Sequence, residues 1–200
     1  GKTAFVHYLA GRLQKKLLHK DAARLVDCFV GMTERLIHQA FKEASRKGDM
    51  LFIDEADSFL SERTAHQHSW QTSQVNQLLQ EMERFRGILI MSTNLMQTLD
   101  TAALRRFDYK VAFSYLTLQQ RLDFFAEWLS RHGDSRDFDQ ETFRWRLQKL
   151  DRIVPGHFQL LTRQAAISGI RFSADVLYEK LAFEMALAEK KISRPIGFTV

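Results

Sequence analysis

A chain of 200 residues with 45% hydrophobic content can bury a real core, either as one domain or as one domain with a small lid. A single cysteine, Cys28, excludes a disulfide framework and a cysteine-based zinc site and fits a reducing cytoplasm. No apolar run approaches the roughly 20 residues of a membrane helix, and the net charge of +5 is scattered, with Lys15-Lys16 and Lys190-Lys191 its densest pairs. Such a distribution reads as a solvated face and argues against membrane or nucleic acid as a partner.

In chain order, Phe5, Leu9 and Leu13 recur at helical spacing and predict a helix over 3–16 that begins directly at Lys2-Thr3. Leu17 and Leu18 open a short strand. Leu36, Ile37, Ala40, Phe41 and Ala44 predict a helix over 32–46, stopped by Gly48, a residue suited to a left-handed helix end. The run Met50 to Ile53 is too short and too uniformly apolar for a helix and predicts a buried strand. Val75, Leu78, Leu79 and Met82 mark another amphipathic helix, Ile88 to Met91 a second apolar strand, and Tyr109 to Phe113 a last one. Strands alternating with helices argue for a parallel sheet covered on both faces. Beyond Ser114 the pattern becomes helical, over 117–131, 139–150, 156–168 and 173–190. The apolar stripes there are Phe125, Trp128 and Leu129, then Phe158, Leu161 and Ala165, then Val176, Leu177 and Leu181.

Four short segments carry chemistry. Gly1-Lys2-Thr3 opening a helix has the form of the end of a phosphate-binding loop: helix N-terminal amides cradle phosphates, the lysine reaches the β and γ positions, and the hydroxyl holds Mg. Alone the tripeptide is common. About fifty residues on, a four-residue apolar strand ends in Asp54-Glu55, which places one carboxylate near the metal and a second where it can orient and deprotonate a water. Helix capping is the plainer use of two adjacent acids, and both uses can hold together. Ser92-Thr93-Asn94 closes the next apolar strand and puts an amide where it can touch the attacking water or the γ-phosphate, a turn asparagine being the alternative. Finally, Arg105-Arg106 offers guanidinium groups of the kind a neighbouring subunit's γ-phosphate requires.

The order and spacing of these segments resemble the AAA+ ATPase family, close to its classical clade, along the whole chain. The resemblance implies an α/β fold: a P-loop NTPase parallel sheet over 1–114, with its first strand missing, followed by a small helical lid subdomain over 115–200. It makes Gly1-Lys2-Thr3 the end of Walker A, Leu51 to Glu55 Walker B, Asn94 sensor 1, and Arg105 and Arg106 arginine fingers. ATP and Mg2+ are the implied cofactors, with Thr3 and Asp54 at the metal. Pro155-Gly156-His157-Phe158 falls at the family's sensor 2 helix start, which implies a nucleotide contact at Gly156; His157 stands where an acid is common, and no sensor 2 arginine is obvious, Arg163 being a weak candidate. Cys28-Phe29-Val30-Gly31 is similar to the pore loop with which hexameric members grip a polypeptide, so Phe29, Val30 and Gly31 are expected to touch a protein substrate within a homo-oligomeric ring. A plain core role for Phe29 is the alternative. Stretches around Ser69-Trp70, Val75-Asn76, Thr93-Asn94-Leu95 and Arg194 to Phe198 look like the C-terminal module of longer bacterial AAA-family proteins. A start at Gly1 reads as a fragment that binds ATP poorly without the loop glycines expected before it. Two other readings are weaker: a nucleic-acid helicase, because Asp54-Glu55-Ala56-Asp57 matches the tetrapeptide of that family, and an inactive scaffold. His66 and His68 lack a third metal ligand nearby in sequence.

Overall fold

Four consecutive apolar side chains can all be buried only in the middle of a layered structure. Strand β2 (Met50–Asp54) takes that place, with Met50, Leu51, Phe52 and Ile53 fully buried. Strand β1 (Leu17–Asp21) pairs with it on one side and β3 (Leu89–Met91) on the other, both parallel, in the order β1-β2-β3. Register sets Asp21 beside Asp54 and Ile53 beside Met91, so the carboxyl ends of the three strands finish together. The computed structural model describes residues 1–26, 31–60, 69–95 and 101–190. They fall into two units, one of residues 2–112 and one of residues 113 onward with Gly1.

Alternation along β2 divides its side chains between two faces. Leu51 and Ile53 join the core formed with Ile37, Ala40, Phe41 and Ala44 of α3 (Met32–Lys47) and Leu78 and Leu79 of α5 (Ser69–Arg84). Phe52 and Asp54 point the other way, toward α1 (Lys2–Arg12), whose Thr3 hydroxyl reaches the Asp54 carboxylate. As the Gly48 signal predicts, α3 ends there, at φ +69°, with the Gly48 N–H bonded to the Ala44 carbonyl. Three helices of four residues each, α2 (Ala22–Leu25), α4 (Asp57–Leu60) and α6 (Thr101–Leu104), follow β1, β2 and β3 in turn. They are too short to display a period and so escape sequence patterning.

Three expectations need correction. Helix α1 stops at Arg12 rather than continuing to residue 16: Gln14 adopts φ +52° and the Lys15 N–H turns back to the Ala10 carbonyl, a helix-ending loop made without glycine. The buried stripe of α1 is Val6 and Ala10, while Phe5 and Leu13 are 41% and 45% exposed. Thr3, Val6 and Ala10 share one helical face, so the anchoring of Thr3 at Asp54 sets the rotation of the helix. Residues Tyr109 to Phe113 form no strand; Tyr109 is 88% and Val111 67% exposed. Alternation licenses a strand only where a neighbour supplies a ladder, and among the described residues β3 pairs with β2 alone.

The second unit follows its sequence pattern closely. Helices α7 (Leu118–His132), α8 (Gln140–Gln148), α9 (Pro155–Ser168) and α10 (Ala174–Lys190) enclose one core, built around Phe125, Leu129, Leu147, Leu161, Leu177 and Leu181. Val176, expected in the stripe of α10, is 42% exposed, and the face is carried by Leu177 and Leu181. Thr117 and Gln120 form a reciprocal capping box at the start of α7, and the Asp139 carboxylate caps α8 through the Thr142 N–H. Arg121 is buried yet useful: its guanidinium donates to the carbonyls of Leu147 and Leu150 at and just past the end of α8, the first of which also accepts from the Leu150 N–H. Among the described residues no helix is long and apolar enough to cross a membrane.

Candidate functional site

At the carboxyl ends of the parallel strands, three of the four segments singled out by sequence converge within the first unit, through Lys2 and Thr3, Asp54 and Glu55, and Ser92 to Asn94. This is where open parallel sheets place their ligands. Asp54 ends β2, and both its oxygens are engaged: Oδ2 accepts from the Thr3 hydroxyl at 2.9 Å, and Oδ1 accepts from the Ser92 hydroxyl and from the Glu55 N–H at 3.1 Å. His19 on β1 stacks on Phe52 and brings Nε2 to 3.6 Å from Asp54 Oδ2, too far for a hydrogen bond. Burial pushes the Asp54 carboxyl up, but the hydrogen bonds from Ser92, Thr3 and the Glu55 amide, with His19 adding to them, outweigh it and hold the group below the usual carboxylate range. Asp54 is therefore ionised at neutral pH.

Glu55 adopts φ +54°, one of two non-glycine residues in the left-handed region among those described. Such a backbone costs on the order of 1–3 kcal/mol and persists only where surrounding bonds fix it. Here the Glu55 N–H is held by Asp54 and by the Ser92 hydroxyl at 3.3 Å, and the next amide, of Ala56, donates to the Ser92 carbonyl at 2.9 Å. The turn leaves the Glu55 residue exposed at the end of the sheet rather than continuing along it. Opposite, the Lys2 ammonium donates to Asn94 Oδ1 at 2.5 Å, so the start of α1 and the loop after β3 meet. Asp57 accepts from the Thr93 hydroxyl and from the Asn94 N–H at 3.1 Å.

Lys2, Thr3, Asp54, Glu55 and Asn94 are thus close neighbours, with Gly1 directly preceding α1. Arg105 and Arg106 follow α6; Arg105 is exposed, whereas Arg106 reaches Glu83 of α5 through Nε at 2.9 Å and its terminal nitrogen at 2.8 Å. Gly31 stands at φ +82° immediately before α3, while Phe29 and Val30 lie outside the described residues, as do His66 and His68. In the second unit Gly156 is the second residue of α9, after Pro155, and Arg163 lies further along that helix. His157 Nδ1 accepts from the Val154 N–H at 3.4 Å, and burial lowers its pKa against the opposing pull of Glu184. Sequence reading missed Ser92, His19 and Asp57 as partners of these groups. Ser92 was nearest to being found, because a buried hydroxyl closing an apolar strand must bond to something beside it.

A family model described as the ATPase family associated with various cellular activities (AAA) matches residues 1–115, more than half of the chain. The chain belongs to the AAA family of ATPases. The candidate residues from Gly1 to Arg106 lie inside the matched AAA region, and Gly156 lies beyond it. Among curated proteins, the spastins of Drosophila mojavensis and Drosophila grimshawi are 30% and 31% identical over 183 residues. The ATP-dependent zinc metalloprotease YME1 homolog of Caenorhabditis elegans is 34% identical over 147 residues. The spastin alignments cover 86% of this AAA chain and the metalloprotease alignment 70%, but the chain spans only 23% and 20% of those relatives. These relatives are eukaryotic, and they lend nothing to the bacterial likeness of the stretches near Ser69, Asn76 and Arg194.

Proposed function

We propose that this AAA ATPase hydrolyses ATP with Mg2+ at the carboxyl edge of its sheet, as part of a homo-oligomeric, hexameric ring that remodels or threads protein substrates. The observation that carries the reading is the convergence of Thr3 on Asp54 and of Lys2 on Asn94, four side chains from three separate segments. The pair Thr3 and Asp54 suits Mg2+: both present hard oxygens, 2.9 Å apart, and the carboxylate is ionised. When bound, the ion would offset the charge of the β and γ phosphates. Lys2 supplies a mobile point charge for the same phosphates, and the amides at the start of α1 supply donors. Glu55, held outward by its left-handed backbone, accepts the proton of the attacking water, and Asn94 orients that water or the γ-phosphate.

Residues 1–114 form the nucleotide-binding subdomain in this proposal and residues 115–200 the helical lid subdomain. Arg105 and Arg106 stabilise the transferring phosphoryl group of a neighbouring subunit. Arg106 must first leave Glu83, an exchange the exposed Arg105 is spared. Phe29 and Val30, with Gly31 as the bend before α3, grip extended polypeptide. A protein substrate is supported by the name of one relative, an ATP-dependent metalloprotease. A Glu55→Gln variant of the full-length protein tests the reading. It is expected to bind ATP as the parent does and to lose turnover by about 100-fold or more. Turnover equal to the parent's removes Glu55 as the base.

A further inference from the structure

Asp57 closes the run Asp54-Glu55-Ala56-Asp57, yet the roles given above leave it unused. Its carboxylate makes two bonds to consecutive residues of the loop after β3: Oδ1 accepts from the Thr93 hydroxyl and from the Asn94 N–H at 3.1 Å. The Thr93 hydroxyl gives its only hydrogen to Asp57 and accepts from the Leu95 N–H at 2.9 Å, so one carboxylate oxygen organises residues 93, 94 and 95. The Asn94 side chain has a separate partner, the Lys2 ammonium. Two further bonds join the same pair of segments, from the Glu55 N–H to the Ser92 hydroxyl and from the Ala56 N–H to the Ser92 carbonyl.

We propose that Asp57 is a positioning residue that holds the backbone of Asn94 fixed relative to Glu55 while the Asn94 side chain exchanges Lys2 for the reacting groups. This rests on the reading of Asn94 as the residue that orients the water or γ-phosphate. Lys2 has to leave Asn94 to meet a phosphate. At that moment nothing in the side chain of Asn94 holds the loop, and the two bonds to Asp57 do. Loss of Asp57 therefore acts on the chemical step and leaves ATP binding through Lys2 and Thr3 intact.

Steady-state kinetics of full-length Asp57→Ala, Asn94→Ala and the double variant test the proposal. Asp57→Ala is expected to lower kcat by about 10- to 100-fold with KM for ATP within about two-fold, and the double variant to be within about two-fold of Asn94→Ala. Parental kcat in Asp57→Ala overturns the proposal, and so does a double variant whose loss is the product of the single losses, as an unrelated structural defect would give. Should Asp57→Ala fail to fold, Thr93→Val interrupts the same contact and should lower kcat, with Thr93→Ser restoring it; equal loss in both overturns the proposal. Amide hydrogen exchange decides independently of turnover. Asn94 and Leu95 are expected to exchange about ten-fold faster in Asp57→Ala or Thr93→Val, with Ile53 unchanged. A parent protein without ATP turnover defeats the hydrolysis reading, whereas unchanged exchange at Asn94 and Leu95 defeats the role of Asp57.

Discussion

Ser92 is the side chain on which the geometry of Asp54 and Glu55 both depend, since its hydroxyl donates to one and accepts from the amide of the other. Ser92→Ala should destabilise the first unit by about 1–3 kcal/mol, measured by chemical denaturation, because part-buried polar groups lose their partner. It should also raise the Asp54 pKa toward its ordinary value, a change readable by carboxylate NMR titration. The sign of the pH dependence follows from the depressed pKa: Asp54 contributes stability above its unfolded value near 3.8, and that contribution is lost as pH falls through the lower folded value. His157 gives the same sign for a base, because burial disfavours its charged form. Its folded pKa lies below the unfolded value of 6.5, so the folded protein binds fewer protons in that interval and loses stability as pH drops below 6.5. His157→Gln should flatten the dependence of thermal midpoint on pH just below that value. Asp54, Glu55 and Asn94 were legible in the sequence because each ends or follows an apolar strand. The left-handed turn at Glu55 and the grip of Asp57 on residues 93 and 94 were not, since both arise only when β3 lies beside β2.

Helices with a full apolar period were legible, and those without one were not. The four helices of the second unit match their predicted spans within a few residues because caps such as Thr117 and Asp139, Pro155 at the start of α9 and Gly169 at its end mark the boundaries. The rotation of α1 was misread because its more apolar face, with Phe5 and Leu13, is not the one that Thr3 turns toward β2. Tyr109 to Phe113 shows the same limit for strands: alternation is local, whereas pairing depends on a neighbour. At this scale Arg121 is the informative side chain. Arg121→Met keeps the apolar volume of α7 but strands the carbonyl of Leu150, that of Leu147 keeping the Leu150 N–H, and is expected to cost about 1–3 kcal/mol in denaturant unfolding of the helical unit. Thr117→Ala, which removes a cap at an exposed helix start, should cost about 1 kcal/mol in the same measurement.

For the whole molecule, membership of the AAA family rests on residues 1–115, and the proposed reaction places groups from more than one subunit around one phosphate. Lys2, Thr3, Asp54, Glu55 and Asn94 come from a single first unit, but the proposed arginines serve a neighbour. Activity should then depend on assembly. The most direct test is ATP turnover per subunit of the full-length protein measured across a dilution series that spans its association. The account predicts that turnover rises with assembly and falls by about 100-fold or more when Arg105 and Arg106 are both replaced by alanine, while ATP binding is retained. Turnover per subunit that is independent of concentration and unaffected by loss of both arginines would contradict it.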